Sequence, residues 1–394
     1  MRQGRDCIWM AAVGLALLGG AARAQEAVKI GFVTELTGPW SFFGTSCVSG
    51  LKLAEAQINP PGKRRIEFVI IDNQTQPAQA IAAARNLDAQ SKVLALSGPT
   101  SSDTALAMYG YAEQNNVPFL VPVAAFPQLT KPGTRYTFRI EPNGAGWGYA
   151  IAQFVAKTKP GAKVALLYSD FALMRAIAAG LKYAAPKAGI KVEPEIIFPQ
   201  GSNDATVQAA QVLAAAADYV VPIGAGGFDN TITNQLLDIG IRPEQIIHPY
   251  GITTSVKNWG KRSVGSYYGT FFDANLDELT DEGKQFVAQF RKDNDRPPSY
   301  VENFCYVTAQ IFREVLDQHP EAADDREKFR DALSGLKTRE KTSSIPITFD
   351  KNGARKEYIY YMQIKDVDAK DYKAKQVFYT EWDPEVIPVY ELVK

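Results

Sequence analysis

Residues 28–59 read VKIGFVTELTGPWSFFGTSCVSGLKLAEAQIN, and three kinds of segment follow one another in them. VKIGFVT (28–34) is a short run of β-branched and apolar residues, the composition of a buried strand. A Gly-Pro turn comes next. From Ser46 to Ile58 the apolar residues recur at helical spacing. A strand running into a helix through a tight turn is the opening half of a βαβ unit. Between the two stand Trp40, Phe42 and Phe43, three large rings where a connection ordinarily carries polar residues. They either pack under the helix or form a surface that something flat and apolar covers.

The same alternation continues down the chain. IEFVIID precedes a helix over 77–90, VLALSG one from Ser101, and VPFLVPV follows; YTFRI precedes a helix over 145–157, KVALLYS one over 171–188, KVEPEIIF one over 204–216, and DYVVPIG one over 228–239, with QIIHPYG closing the series. Continuous apolar strands separated by amphipathic helices indicate parallel sheets covered on both faces. About nine strands exceed one sheet of ordinary size, and a break near RIEPNGAG divides them into similar halves. The expected fold class is therefore α/β, with two doubly wound parallel-sheet lobes. After Gly251 the alternation weakens: YYGTFFDANL reads as a strand leaving a sheet, two amphipathic helices flank DRPPS, and ITFDKNGARKEYIYYMQIK reads as a hairpin turning at Asn352-Gly353.

Residues 1–24 read as a secretory leader: basic MRQGR, a short apolar stretch, and the small-x-small site ARA ending at Ala24. The mature chain then carries 40 basic and 42 acidic residues, a net charge of −2. That balance points away from nucleic acid, and no later run is long enough to insert in a membrane. Export permits a disulfide between Cys47 and Cys305, but both lie on apolar helical stretches, where two buried free thiols are the alternative. With His248 and His319 the only histidines and no Cys-x-x-Cys, no metal or other cofactor is expected. The glycine-rich turns GAGWGYA and GAGGFDN end in Tyr149 and Asp229 where a dinucleotide fingerprint needs glycine. No P-loop, nucleophile elbow or zinc-protease helix occurs, so an exported enzyme is the weaker reading.

Ligands of open α/β sheets lie beyond the carboxyl ends of the strands. The turns there are TGPWSFFG, SGPTSSD, PVAAF, YSDFALM, GAGGFD and PYGIT. Trp40, Phe43, Phe126, Phe171 and Tyr250 offer apolar faces. Thr100, Ser101 and Ser102 offer hydroxyls and N–H groups at a helix start, which suits a carboxylate, though simple helix capping is the competing explanation.

In this order, the landmarks LTGPWSFFG with SGLKLAEAQIN, DNQTQPAQAIAAARNL, LSGPTSSDTALAMYGYAEQNNVPFLVPVAA, YTFRIEPN and FDKNGARKEYIYYMQIKD resemble the periplasmic substrate-binding proteins of ABC importers of the branched-chain amino-acid (Leu/Ile/Val) type, over essentially the whole mature chain. The resemblance implies a type I periplasmic binding protein, with lobes 25–141 plus 254–343 and 142–253 plus 344–394 joined by a three-crossing hinge. It implies a monomeric periplasmic receptor that closes on a small ligand and is recognised by a membrane permease; a sensor feeding a regulator would differ only in its partner. By position, Ser101 would hold a ligand carboxylate and Phe43 would act as lid. Ala125 and Phe126 would line one side, with Phe171, Gly226 and Tyr250 on the other. Amino-acid binders of this family hold the ammonium with an acid in the turn where this chain has HPYGIT, and none stands there. The expected ligand is thus an aromatic or otherwise apolar carboxylate. A branched-chain amino acid is the alternative, with Asp170 or Asp229 moving in as the ammonium's partner.

Overall fold

The computed structural model describes residues 26–199, 202, 204–224, 228–251, 253–368 and 371–392. The expected leader and Gly226 lie outside them. The chain begins with β1 (Val28–Thr34), α1 (Ser41–Ile58), β2 (Ile66–Asp72), α2 (Pro77–Asn86), β3 (Ala95–Ser97), α3 (Ser102–Asn115), β4 (Phe119–Val121) and β5 (Thr137–Arg139). These strands form one parallel sheet in the order β2-β1-β3-β4-β5. The order reverses between β1 and β3, so the crevice at their carboxyl ends is where a ligand is expected.

A second α/β series follows: α4 (Gly144–Thr158), β6 (Lys163–Ser169), α5 (Ala172–Ala184), β7 (Lys191–Phe198), α6 (Thr206–Ala215), β8 (Tyr219–Ile223), α7 (Phe228–Asp238), β9 (Ile247–His248), α8 (Thr253–Trp259) and β10 (Tyr267–Thr270). The chain then returns to the first lobe as α9 (Asp281–Asn294), α10 (Tyr300–Gln318), α11 (Arg326–Ser334) and the short pair β11 (Lys337–Arg339) and β12 (Pro346–Thr348). It ends in the second lobe with β13 (Glu357–Val367), β14 (Tyr372–Trp382) and α12 (Val389–Leu392). There β7-β6-β8 is parallel, a parallel bridge from Val220 to Ile246 leads on to β9, and the sheet continues β9-β10-β13-β14 with its last two pairings antiparallel.

Three details differ from expectation, and a fourth decides a point left open. Helix α1 starts at Ser41 instead of Ser46, so Phe42 and Phe43 ride on its first turn, with Trp40 at the N-cap. Gly44 makes this possible, because a Cβ there would sit 2.0 Å from the Glu35 carbonyl oxygen. The division at residue 254 moves: β10 pairs with β9 and β13, so the chain leaves the second sheet only after Thr270. The hairpin at Asn352-Gly353 exists only at its tip, where Phe349 bridges Arg355 and Gly353 takes a left-handed φ of 81°. Its arms part because residues 346–348 pair with β11 while 357–367 pair with β10 and β14. Finally, Cys47 and Cys305 are joined, tying α1 to α10 with both sulfurs fully buried.

The first and third crossings are pinned by one buried carboxylate. Glu357 Oε1 accepts from Arg139 Nη2 at 2.9 Å and from the Asn143 backbone N–H at 2.9 Å, and Oε2 accepts from Trp382 Nε1 at 2.7 Å. Arg139 and Glu357 are 1% and 0% exposed. In low dielectric such a pair depends on partners for its other polar atoms, and Arg139 finds them for Nη1 and Nη2, at the Glu141 carbonyl and Thr130, though not for Nε.

Candidate functional site

The strand ends of both lobes converge on one small cavity of ≈ 10 Å³, room for about one water between the closed lobes. The first lobe contributes Trp40 and Phe43 from the β1–α1 turn, Thr100 ahead of α3, Val123 after β4, and Tyr300 at the start of α10. The second contributes Trp147 from α4, Leu173 from α5 and Tyr250 after β9, and Glu141 enters from the first crossing. Trp40 lies 4.8 Å from Phe43 between ring centroids, and Trp147 lies 5.8 Å from Tyr250. All four rings are buried, so the lobes stand closed over them.

Of the residues singled out from sequence, Trp40, Phe43, Thr100 and Tyr250 line this cavity. Thr100, however, directs its donors away from it: backbone N–H and hydroxyl go to Glu35 Oε2 at 2.9 and 2.6 Å. Glu35 Oε1 also accepts from Asn73 and from Thr104, so this buried carboxylate braces the loop ahead of α3. Ser101 is the N-cap of α3 but makes no side-chain cap bond, and Ser102 Oγ is buried without a partner. Neither is among the residues that line the cavity, although Ser101 directly follows Thr100. Ala125 is core, its carbonyl accepting from Gly144 N–H at 2.8 Å. Phe126 packs with Ala172 and Ala176 across the lobe contact, and Phe171 is the half-buried N-cap of α5.

The acids fall differently from expectation. Asp170 is paired with Arg175 at 2.6 Å on the surface. Asp229 is buried behind the wall, accepting from Ser255 Oγ at 2.9 Å and from Asn230 N–H; burial pushes its carboxyl up to about 6. The acid that lines the cavity is Glu141, which the reading of the turns missed because it follows a strand end inside RIEPN and looks like an ordinary solvated residue. Burial holds its carboxyl well above the usual range, with Arg139 opposing. Tyr300 and Trp147 were missed for a related reason: a residue opening a helix, or lying within one, reads as core.

A general model of the periplasmic binding protein family matches residues 27–371. The Leu/Ile/Val-binding protein homolog 7 of Brucella suis is 23% identical over 320 residues, which cover 77% of this chain and 80% of that protein. A Rhodopseudomonas palustris ABC-transporter solute-binding protein, solved in complex with 4-hydroxybenzoate, superposes with a TM-score of 0.81 at 21% identity, covering 92% of this chain and 99% of that one. The leucine-binding protein LivK of Thermotoga maritima gives 0.77 at 20% identity, covering 90% and 98%. Among the described residues no helix is long and apolar enough to cross a membrane. With two α/β lobes closed over a ring-lined cavity, and with the family match over most of its length, the chain belongs to the periplasmic binding protein family.

Proposed function

We propose that the protein is exported to the periplasm, captures a small carboxylate with an apolar or aromatic body by lobe closure, and presents the closed monomer to an ABC permease. The observation that carries this is the cavity itself, walled by Trp40, Phe43 and Tyr300 from one lobe and by Trp147 and Tyr250 from the other. A ligand touching both walls binds the closed form better than the open one, and differential binding of about 5 kcal/mol turns a mostly open population into a mostly closed one. A buried ring and a satisfied carboxylate together supply that order. The carboxylate end is assigned to the start of α3, where the first N–H groups have no intrahelical partners and the Ser102 hydroxyl is unpartnered. Relatives bearing the names of leucine binders and of a 4-hydroxybenzoate complex are consistent with a carboxylate on an apolar body.

The test is calorimetric titration of the unfolded and refolded mature chain with leucine, valine, benzoate, phenylacetate and 4-hydroxybenzoate, with small-angle scattering to read closure. A bound carboxylate should compact the protein, and Ser101→Ala should weaken it by roughly 1–3 kcal/mol. Binding without compaction, or compaction by none of these acids, refutes the reading. Unchanged affinity in Ser101→Ala would leave that serine a helix cap only.

A further inference from the structure

The last segment of the chain touches both lobes. It leaves β14 at Trp382, whose indole donates to the hinge carboxylate of Glu357, turns once over Pro384–Val386, and forms α12. Ile387 and Val389 are buried in the main core, so the segment is seated on the protein. By sequence it belongs to the second lobe, where α12 packs along α5. It also meets the first lobe. There α12 contacts the turn Pro127–Thr130 between β4 and β5, and the half-buried Tyr390 donates its hydroxyl to the Thr130 carbonyl at 2.5 Å.

Leu392 reaches the seam between the lobes. It packs on a small apolar cluster of Phe126, Ala172 and Ala176, together with Leu106 and Ala179. Phe126 and Leu106 come from the first lobe, and the three alanines lie on α5 of the second at helical spacing. None of these residues lines the cavity, so the contact does not depend on what the cavity holds. Opening the lobes about their three crossings draws α5 away from Phe126. Leu392, packed along with α5, and Tyr390, bonded to Thr130, cannot then both keep their places. Contacts made only when the lobes meet stabilise the closed form alone.

We propose that residues 384–392 form a strap that links the lobes without a covalent crossing and raises the closed share of the ligand-free protein. Tyr390 is its anchor beside the hinge, where Thr130 Oγ1 also accepts from Arg139 Nη2 at 3.3 Å. Leu392 is its tip in the seam. One hydrogen bond to a buried carbonyl and one half-buried leucine together change a closed-to-open ratio by about 10–30-fold. That is small beside the roughly 10⁴-fold preference with which a ligand drives closure, so the ligand keeps control. The competing explanation is a tail that merely packs on the second lobe, and such a tail leaves the balance of open and closed forms unmoved.

The experiment measures the distance between the lobes in the refolded, ligand-free mature chain. Spin labels go on Gln79→Cys of α2 and Gln211→Cys of α6, both exposed, with the Cys47–Cys305 bond left oxidised. Double electron–electron resonance should show a short-distance population, matching the closed lobes, beside a longer one. The double variant Tyr390→Phe/Leu392→Ala, and a chain ended after Asp383, should each lower the short-to-long ratio by about 10-fold or more, with folding verified by circular dichroism. If the shortened chain does not fold, the double variant decides alone. A ratio unchanged in the folded double variant, or a parent protein with no short-distance population, overturns the proposal. Leucine and 4-hydroxybenzoate are then added to separate the strap from the receptor reading. Closure by either one in parent and variant alike supports the receptor whatever the strap does. Closure by neither counts against the receptor, and the ligand-free ratios still judge the strap.

Discussion

Reduction of the Cys47–Cys305 bond should lower both stability and ligand affinity, because the bond joins the two helices that deliver rings to the cavity. Cys47 lies one helical turn beyond Phe43 on α1, and Cys305 lies five residues beyond Tyr300 on α10. The bridged residues are 258 apart in sequence. A loop of that length gives a chain-entropy ceiling of about 5–6 kcal/mol, and native disulfides commonly deliver about 2–4 kcal/mol. The lower range applies here, since α1 and α10 also meet backbone to backbone: a Cβ on Gly50 would lie 2.1 Å from the Glu302 carbonyl oxygen. Urea unfolding with and without a phosphine reductant, on the wild type and on the Cys47→Ser/Cys305→Ser double variant, measures the effect. A loss of about 3 kcal/mol should move the thermal midpoint down by roughly 4 °C. Reductant should leave the double variant unchanged. The affinity for whichever ligand closes the lobes should also fall on reduction. Wild type whose midpoint is unmoved after both thiols become titratable would show that helix packing alone holds α1 on α10, and the reasoning would fail.

Three further outcomes are expected. Glu357→Gln removes the charge that compensates Arg139 across the hinge and should cost about 3–5 kcal/mol in denaturant unfolding; a loss below 1 kcal/mol would mean that the crossings are held by other contacts. His248 is buried in stacked contact with Trp259 at 3.7 Å, and burial lowers its imidazole to about 3. Only the unfolded chain then takes up this proton between pH 6.5 and 3, so stability falls as pH drops through that window, and the wild-type-minus-His248→Asn difference should fall with it. A difference flat with pH would contradict a buried neutral imidazole. Phe43→Ala should weaken a ring-bearing ligand by roughly 1.5–3 kcal/mol with the unliganded fold intact by circular dichroism; loss of folding would make Phe43 a core residue first.

The fold was legible because its signals are local. VKIGFVT, IEFVIID and KVALLYS are mostly apolar, the composition of strands packed into a parallel sheet, and the turns after them end in helices. Local signals also misplaced what depends on distant partners. The start of α1 is set by Gly44 closing on the Glu35 backbone, and β10 joins the second sheet because β9 and β13 offer it edges. The expected hairpin 347–365 parts because its arms pair elsewhere, the first with β11 and the second with β10 and β14.

For the site, the sequence by itself determined the chemistry available at the strand ends: the rings of Trp40, Phe43 and Tyr250 and the hydroxyls ahead of α3. Tertiary structure alone decided which of these face one another. It turned the donors of Thr100 toward Glu35, packed Phe126 across the lobe contact, and joined two cysteines 258 residues apart. It also brought Glu141 into the wall without a partner. The physical reason is that strand and helix periodicities are properties of neighbours in the chain. Burial of a carboxylate, and the donors it lacks, are properties of groups that meet only when both lobes have folded and closed.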